Sequence, residues 1–352
     1  MTNLDIQKAY LGLDEVDKVY LGSEQVYPTG GETDYSREPL TINALDQVSL
    51  KVNSRYSGGT VYYRVKGDTT WQALTPGQTL TIQPQAPVQL MGQGGATGLF
   101  SGSTGHNVGY EVYGNVMSLV YGENFIGETV IPSALTDAFY AMFRNCDDLV
   151  SIKNLVMPAT TLSDGCYRSM FNKCWYLEEL PDVFLPANAQ LSSACCRYTF
   201  EELGKNLGQS IEVPSGFLPT TNLAGACYEG MFSRANISKA PELPATIMQT
   251  RCYQQMFQYC TGLTASSFLP EVVFPQTPYP NSFSSMFNMC NRLSTVTCLA
   301  TSGIGDASNT SLWLTGVAAN GTFYKHPNAT WPSGNSGIPS GWTVQDYVAP
   351  NI

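Results

Sequence analysis

Between residues 138 and 290 the apolar and polar positions follow a motif that keeps returning. Cys166-Tyr167-Arg168-Ser169-Met170-Phe171-Asn172-Lys173-Cys174 comes back almost unchanged as Cys252-Tyr253-Gln254-Gln255-Met256-Phe257-Gln258-Tyr259-Cys260. Looser copies start at Ala138, Cys195, Cys227 and Ser282. At about 100° per residue, Cys166, Tyr167, Met170, Phe171 and Cys174 share an arc of about 140°, and the four polar residues take the rest of the wheel. That split predicts a helix packed on one side. The Met–Phe pair recurs at Met142, Met170, Met231, Met256 and Met286, with Thr199-Phe200 in the remaining slot, so the steps are 28, 29, 32, 25 and 30 residues. Self-similarity at that period predicts a solenoid, in which each unit buries its apolar face only against a neighbour.

Each predicted helix is followed by an apolar residue (Leu149, Leu177, Leu263 or Leu293) and, within the unit, by an extended piece ending at Pro158, Pro186, Pro219, Pro244 or Pro275. Proline has no place inside a central strand, so it marks a strand end or a bend. A unit should therefore read helix, turn, short strand, bend, with helices on one side of the stack and strands on the other. The 32- and 25-residue steps imply an insertion near 204–216 and a deletion near 236–240. Met, Phe and Cys of the motif are expected in the core, because they recur on the apolar arc.

Upstream the period changes to two. Leu40 and Ile42, Val48, Leu50 and Val52, Val61, Tyr63 and Val65, Leu80 and Ile82, and Val88 and Leu90 alternate with their neighbours, and Gly58-Gly59, Gly67-Asp68 and Pro76-Gly77 separate the runs. Five short strands so spaced predict a small β-sandwich over residues 38–108, with Trp71 in its core or at its rim. Residues 1–31 carry a doublet, Tyr10-Leu11-Gly12 and Tyr20-Leu21-Gly22, that predicts two or three small strands. So little apolar surface suggests an anchor or oligomerisation segment, or a hairpin packed on its own chain. The run Gly92–Gly98 superficially suggests a phosphate loop but lacks the Lys-Ser/Thr ending, so it reads as loop. Residues 109–300 hold the array and its lead-in. After Ala300 the motif stops, and Trp313, Trp331 and Trp342 in a Gly/Pro/Ser-rich setting predict a C-terminal cap over 301–352, or else a sugar-stacking surface.

Composition changes the picture in two ways. Charged residues make up 13% of the chain, against about 25% in an average soluble protein, so the surface is polar but weakly charged. The net charge of −10 argues against nucleic acid as a partner. No apolar run approaches the length of a membrane span, so no membrane insertion is expected. All ten cysteines lie between Cys146 and Cys298 and track the repeat without CxxC spacing. A ladder of buried thiols is expected, with disulfides or a metal as alternatives. Histidine occurs only at His106 and His326, both in Gly/Pro/Asn-rich loops with no Cys or Ser partner in a known arrangement. The carboxylate pairs Asp147-Asp148 and Glu178-Glu179 read as solvated. The expectation is thus a protein that is not an enzyme, with no catalytic residue, cofactor or metal. A ligand surface, if there is one, should use aromatics off the core arc: Trp175 and Tyr176 after a predicted helix end, and Tyr259 on the polar back.

The motif CYxxMFxxCxxL, followed by Leu-Pro-Ala stretches such as Leu185-Pro186-Ala187, resembles the BspA-like leucine-rich repeats of gut Bacteroidetes and their phages. Segments 113–122, 298–301 and 337–344 are similar to those flanking such arrays. The resemblance implies an α/β leucine-rich-repeat solenoid, here preceded by a small all-β domain, and a role in surface adhesion. The N-terminal doublet resembles the starts of phage structural proteins, and Met1–Ile6 has neither the basic nor the apolar region of the leader that bacterial surface members carry. The expectation is accordingly a virion component, assembled in the host cytoplasm, that serves as a head or tail fibre or adhesin. It would join other virion proteins through its N-terminal segment and attach to a host-surface glycan or protein. By analogy it would be a homo-oligomer, as a trimer. The alternatives are a bacterial cell-surface adhesin and a capsid decoration protein with no ligand.

Overall fold

The computed structural model describes residues 10–11, 14–15, 19–21, 24–27, 33–104, 109–275, 280–305 and 307–349. It is mostly β with few helices. The α-helices among the described residues, Ser118–Tyr121 and Ala307–Thr310, are each about one turn. The chain divides into two units, Met1–Tyr35 and Ser36–Ile352.

In the first unit the doublet forms two antiparallel hairpins, Tyr10–Leu11 with Asp14–Glu15 and Val19–Leu21 with Glu24–Tyr27. The rest of the anchor segment expected over 1–31 lies outside the described residues.

The second unit opens with antiparallel sheets built from the period-two runs. Leu40–Ala44, Val88–Gly92, Val61–Val65 and Gln72–Ala73 form one sheet, and Thr79–Ile82, Val48–Val52 and Phe100–Thr104 the other. Alternate side chains (Leu40, Ile42, Val48, Leu50, Val52, Leu80, Ile82 and Leu90) are at most 3% exposed and share one apolar core. Trp71 is half-buried beneath the Arg64 guanidinium, 4.3 Å from its ring centre. Strand Tyr110–Asn115 is where the sheet changes sense. One edge pairs antiparallel with Leu40–Ala44, and the other pairs parallel with Leu149–Ser151 and Leu155–Val156. Parallel pairing then continues to the end, as Ile211–Glu212 with Ile237–Lys239 and as a four-stranded sheet, Ala265–Leu269, Thr295–Cys298, Gly321–Lys325 and Trp342–Asp346.

The nine-residue motif is not helical. Every copy is a ribbon of consecutive tight turns. In the Cys166 copy the N–H groups of Gly165, Tyr167, Ser169, Phe171 and Lys173 donate to the carbonyls of Ser193, Cys195, Arg197, Thr199 and Glu201 in the next copy, at 2.8–3.0 Å. The intervening N–H groups, of Cys166, Arg168, Met170, Asn172 and Cys174, donate three residues back within the ribbon at 2.9–3.3 Å. The carbonyls of Cys166, Arg168, Met170 and Asn172 in turn accept from Phe139, Ala141, Phe143 and Asn145 of the preceding copy. The backbone is thereby satisfied without a helix or a conventional strand.

Such a ribbon needs a left-handed residue every four positions. Asp137, Ala141 and Asn145 hold φ between +51° and +65°, and so do the matching triplets in all six copies; only Gly165 and Gly230 among those eighteen slots are glycine. A left-handed non-glycine residue costs about 1–2 kcal/mol, which the complete hydrogen bonding and the packing offset. Because the true repeat is four residues, the buried side chains come in adjacent pairs and form columns through the stack. Phe143, Phe171, Phe200, Phe232, Phe257 and Phe287 stack at 5.4–5.9 Å with interplanar angles of 5–11°. A second column links Phe139 to Tyr167, and Tyr228 to Tyr253, Phe283 and Trp313. Between its two parts Cys196 takes the ring's slot, and Phe184 and Phe217 pack against Phe200 there.

The ribbon pattern extends beyond the six copies at both ends. In the glycine-rich run, the Ala96, Gly98 and Phe100 N–H groups donate to the Ala138, Tyr140 and Met142 carbonyls, and Phe100 heads the phenylalanine column. Gly94 and Gly98 supply the positive φ, at +97° and +61°. Downstream, Asn281, Phe283, Ser285, Phe287 and Met289 donate to residues 308–315, so a further ribbon follows where the motif has faded. Trp313 and Trp342 are buried, donating to the Gly337 and Ala318 carbonyls, and Trp331 stacks on Trp313. These tryptophans pack rather than offer a sugar-stacking surface.

The ten cysteines are buried and free. The Cys174, Cys260 and Cys290 thiols donate to the Phe143, Phe232 and Phe257 carbonyls of the preceding copy at 2.9–3.2 Å. Burial pushes the Cys146, Cys252, Cys290 and Cys298 thiols up to about 12.

Two outcomes follow from the ribbon. Ser169→Val, which places a β-branched residue at φ +54°, should lower the unfolding free energy by about 1–2 kcal/mol, whereas Ser169→Gly should leave it unchanged or raise it; urea denaturation measures both. Thiols ionise near pH 8.5 in the unfolded chain but stay protonated to about 12 when folded, so the unfolded chain sheds protons first. Stability should be flat below that window and fall as pH rises from about 9 to about 12, read as a lower urea midpoint at alkaline pH. A thiol reagent at neutral pH should find all ten only after denaturation.

Candidate functional site

Side chains that leave the ribbons outward are the ones that do not repeat, and they pair between copies. Arg168 donates to both Asp137 oxygens at 3.0 and 3.1 Å and lies 4.4 Å over the Tyr140 ring. Gly165 makes room for this pair, since a Cβ there would stand 2.2 Å from Asp137 Oδ1. One copy further on, Arg197 binds Glu229 at 2.7 Å and stacks on Tyr198. The Tyr198 ring runs across Gly230, where a Cβ would come within 2.0 Å of it, and its hydroxyl reaches Gln255 at 3.2 Å. Asn172 donates to Glu201, Gln258 donates to Asn288, and the Arg234 guanidinium lies 4.8 Å over Tyr259. The outer face is thus a set of cation–aromatic and amide–carboxylate pairs on a fixed backbone.

The expected insertion is the largest departure from this regularity. Residues 204–210 fold back on the preceding copy, with the Gly204 and Asn206 N–H groups donating to the Cys174 and Trp175 carbonyls. Trp175 Nε1 donates to Glu202 at 3.2 Å, and Lys205 binds the same carboxylate at 2.9 Å. Burial pulls the Glu202 carboxyl up, but the bonds from Lys205 and Trp175 outweigh it and leave the group below its ordinary pKa. Asn236, at the expected deletion, holds the insertion from the other side. Its Nδ2 donates to the Gly204, Leu207 and Gln209 carbonyls at 3.0–3.4 Å, and its Oδ1 lies 2.8 Å from Ser210 Oγ. A cleft of about 390 Å³ lies between Glu178-Glu179 and Leu207, Gln209 and Glu212.

Trp175 is half-buried and committed to Glu202, while Tyr176 beside it is 42% exposed. Tyr259 is 39% exposed but belongs to a later copy and pairs with Arg234, so the three aromatics do not converge. The arginines at 168, 197 and 234 and the insertion's Lys205 were not singled out from sequence, although their failure to recur was a usable signal. His326 Nδ1 accepts the Asn328 N–H within its loop, and His106 lies outside the described residues. Among the described residues no group of three or more His, Cys, Asp or Glu is placed to hold a metal ion, and no helix is long and apolar enough to cross a membrane.

No protein-family model matches the chain, and no curated protein or solved structure matches it at a significant level.

Asn236→Ala removes the amide that gathers three carbonyls of the insertion. Limited proteolysis should then cut within 204–210 well before the rest of the chain, with stability lowered by about 1–3 kcal/mol. Equal protection of that loop in both proteins would show that the fold-back contacts at Cys174 and Trp175 suffice.

Proposed function

We propose that the chain is a non-enzymatic attachment protein, a virion head or tail fibre or adhesin, whose repeat array displays a recognition face. The observation that carries this reading is the division of labour in each ribbon. Repeating side chains are buried in the columns, while variable ones such as Tyr176 and Tyr259 stay exposed. A face held by backbone-to-backbone bonds loses little freedom on binding, which favours affinity from a few exposed anchors. Tyr176, Tyr259 with Arg234, and the insertion beside Trp175 are those anchors, and their aromatic and amide character suits a glycan or protein partner.

The array itself we read as a solenoid of the BspA-like leucine-rich-repeat kind, on the strength of its CYxxMFxxCxxL signature, with turn ribbons and short parallel strands where α-helices and strands were expected. The antiparallel sheets would act as a spacer and residues 1–31 as the junction to other virion proteins, in a homo-oligomer.

Immunodetection on purified particles and binding of the full chain to host cells test the two halves. The chain should occur on particles at a fixed copy number, and Tyr176→Ala combined with Tyr259→Ala should weaken cell binding by about tenfold or more. Absence from particles with retained cell binding would favour a bacterial surface adhesin. Presence on particles without any binding would favour capsid decoration.

A further inference from the structure

A second cleft, of about 400 Å³, lies where the antiparallel sheets meet the first turn ribbon. One wall is the turn around Asn53 and Arg55 with the run Thr97–Ser101; the other is Tyr140, Arg144 and Asn145 of the ribbon. Two arginines from different elements therefore line one cleft, and its lining contains no Asp or Glu, although the chain carries 28 of them. Arg168, Arg197, Lys66, Lys205 and Lys325 are each paired with a carboxylate. Arg55 and Arg144, both exposed, belong to the larger set of described cations that have no such partner.

The backbones that carry them are fixed. The Arg55 N–H donates to Asn53 Oδ1 at 3.0 Å, and next along the chain the Tyr56 hydroxyl donates to the Leu74 carbonyl at 3.2 Å. The Asn53 amide nitrogen faces the open side of Gly98, 3.7 Å from where a Cβ would stand. Across the cleft, Gly98 N–H binds the Tyr140 carbonyl at 2.6 Å, and the Arg144 N–H closes a turn on Ala141. Like charges on facing walls, with no counter-charge between them, raise the local potential and draw an anion from solution. The planar fork of guanidinium matches a carboxylate with two parallel hydrogen bonds. Side-chain amides at Asn53 and Asn145 add neutral donors and acceptors of the kind that meet ring hydroxyls. The volume sits low in the range of about 300–1,000 Å³ typical of small-molecule sites, which fits a short saccharide.

We propose that this cleft binds a carboxylated saccharide, a hexuronate unit of an acidic glycan, with Arg55 and Arg144 holding the carboxylate and Asn53 and Asn145 the ring hydroxyls. This rests on the attachment reading for its biological sense, and it names the class of glycan recognised.

The test titrates the full chain with digalacturonate, with the neutral galactose disaccharide, and with sodium sulfate, by calorimetry. Digalacturonate should bind, the neutral sugar at least about tenfold more weakly, and Arg55→Gln and Arg144→Gln should each cost about tenfold or more. Added salt should weaken the binding. Lys153→Gln, an exposed cation off the cleft, should change nothing, and all variants should melt with the parent. Absence of digalacturonate binding, equal binding of the neutral disaccharide, or arginine variants that bind like the parent would each overturn the proposal. Sulfate bound as tightly as digalacturonate would also overturn it, by revealing a site for any anion. Host-cell binding is scored separately. Cells bound equally by the double arginine variant and the parent would sink the cleft's role in attachment while leaving the attachment reading in place.

Discussion

The alternating hydrogen-bond rule of the turn ribbons is the constraint on which the rest of the array depends. One set of residues gives its N–H groups to the next copy, and the set between closes turns within the ribbon. Every other property of the stack follows from that alternation. It fixes a left-handed residue at each fourth position, which sets the adjacent pairing of buried side chains, which in turn aligns Phe over Phe at 5.4–5.9 Å. The thiols belong to the same scheme, because a small side chain at Cys174 or Cys260 can donate to a carbonyl that already accepts one turn bond.

Much of this was legible in the sequence. The columns, the buried cysteines and the uneven stretch at 204–240 follow from the repeat, and the antiparallel strands from period two. The helix assignment failed for a specific reason. Over nine residues a period of four departs from a period of 3.6 by only about 40° per turn, so five residues that lie in strict pairs still share one arc of a helical wheel. The usual mark of left-handed backbone is glycine or asparagine, and here the slots hold Ala141, Lys173, Tyr198, Glu202 and Arg251. Lys173, Tyr198, Glu202 and Arg251 are at least partly exposed and all five backbones are held by neighbouring copies, so packing overrides local preference. The glycine run at 92–98 was hidden for the opposite reason: it has the conformational signature of a ribbon but none of the side chains that identify one. At the candidate site, Tyr176 and Tyr259 were visible as aromatics off the core, whereas the tie of Trp175 to Glu202 needs the insertion to fold back, which no local pattern announces.

Scarcity of charge and the location of what charge there is have a common cause. A ribbon spends its backbone polar groups internally, so its surface needs side chains only for solubility and recognition. Several described cations tie one copy to the next or cover an aromatic ring, as at Arg168, Arg197 and Arg234. What sets Arg55 and Arg144 apart is that they line one cleft, at the seam with the antiparallel sheets, with no Asp or Glu in its lining.

The forward direction of the donors gives the array a grammar for changing length. Each copy presents carbonyls to the one before it and N–H groups to the one after. A duplicated copy placed between any two would therefore meet matching surfaces on both sides, and a deleted one would leave none exposed. The run at 94–100 supplies the donors that open the series, with Phe100 as its one ring in the phenylalanine column. Gene duplication and loss can thus lengthen or shorten the array one unit at a time, with the antiparallel sheets and the closing strands left as they are.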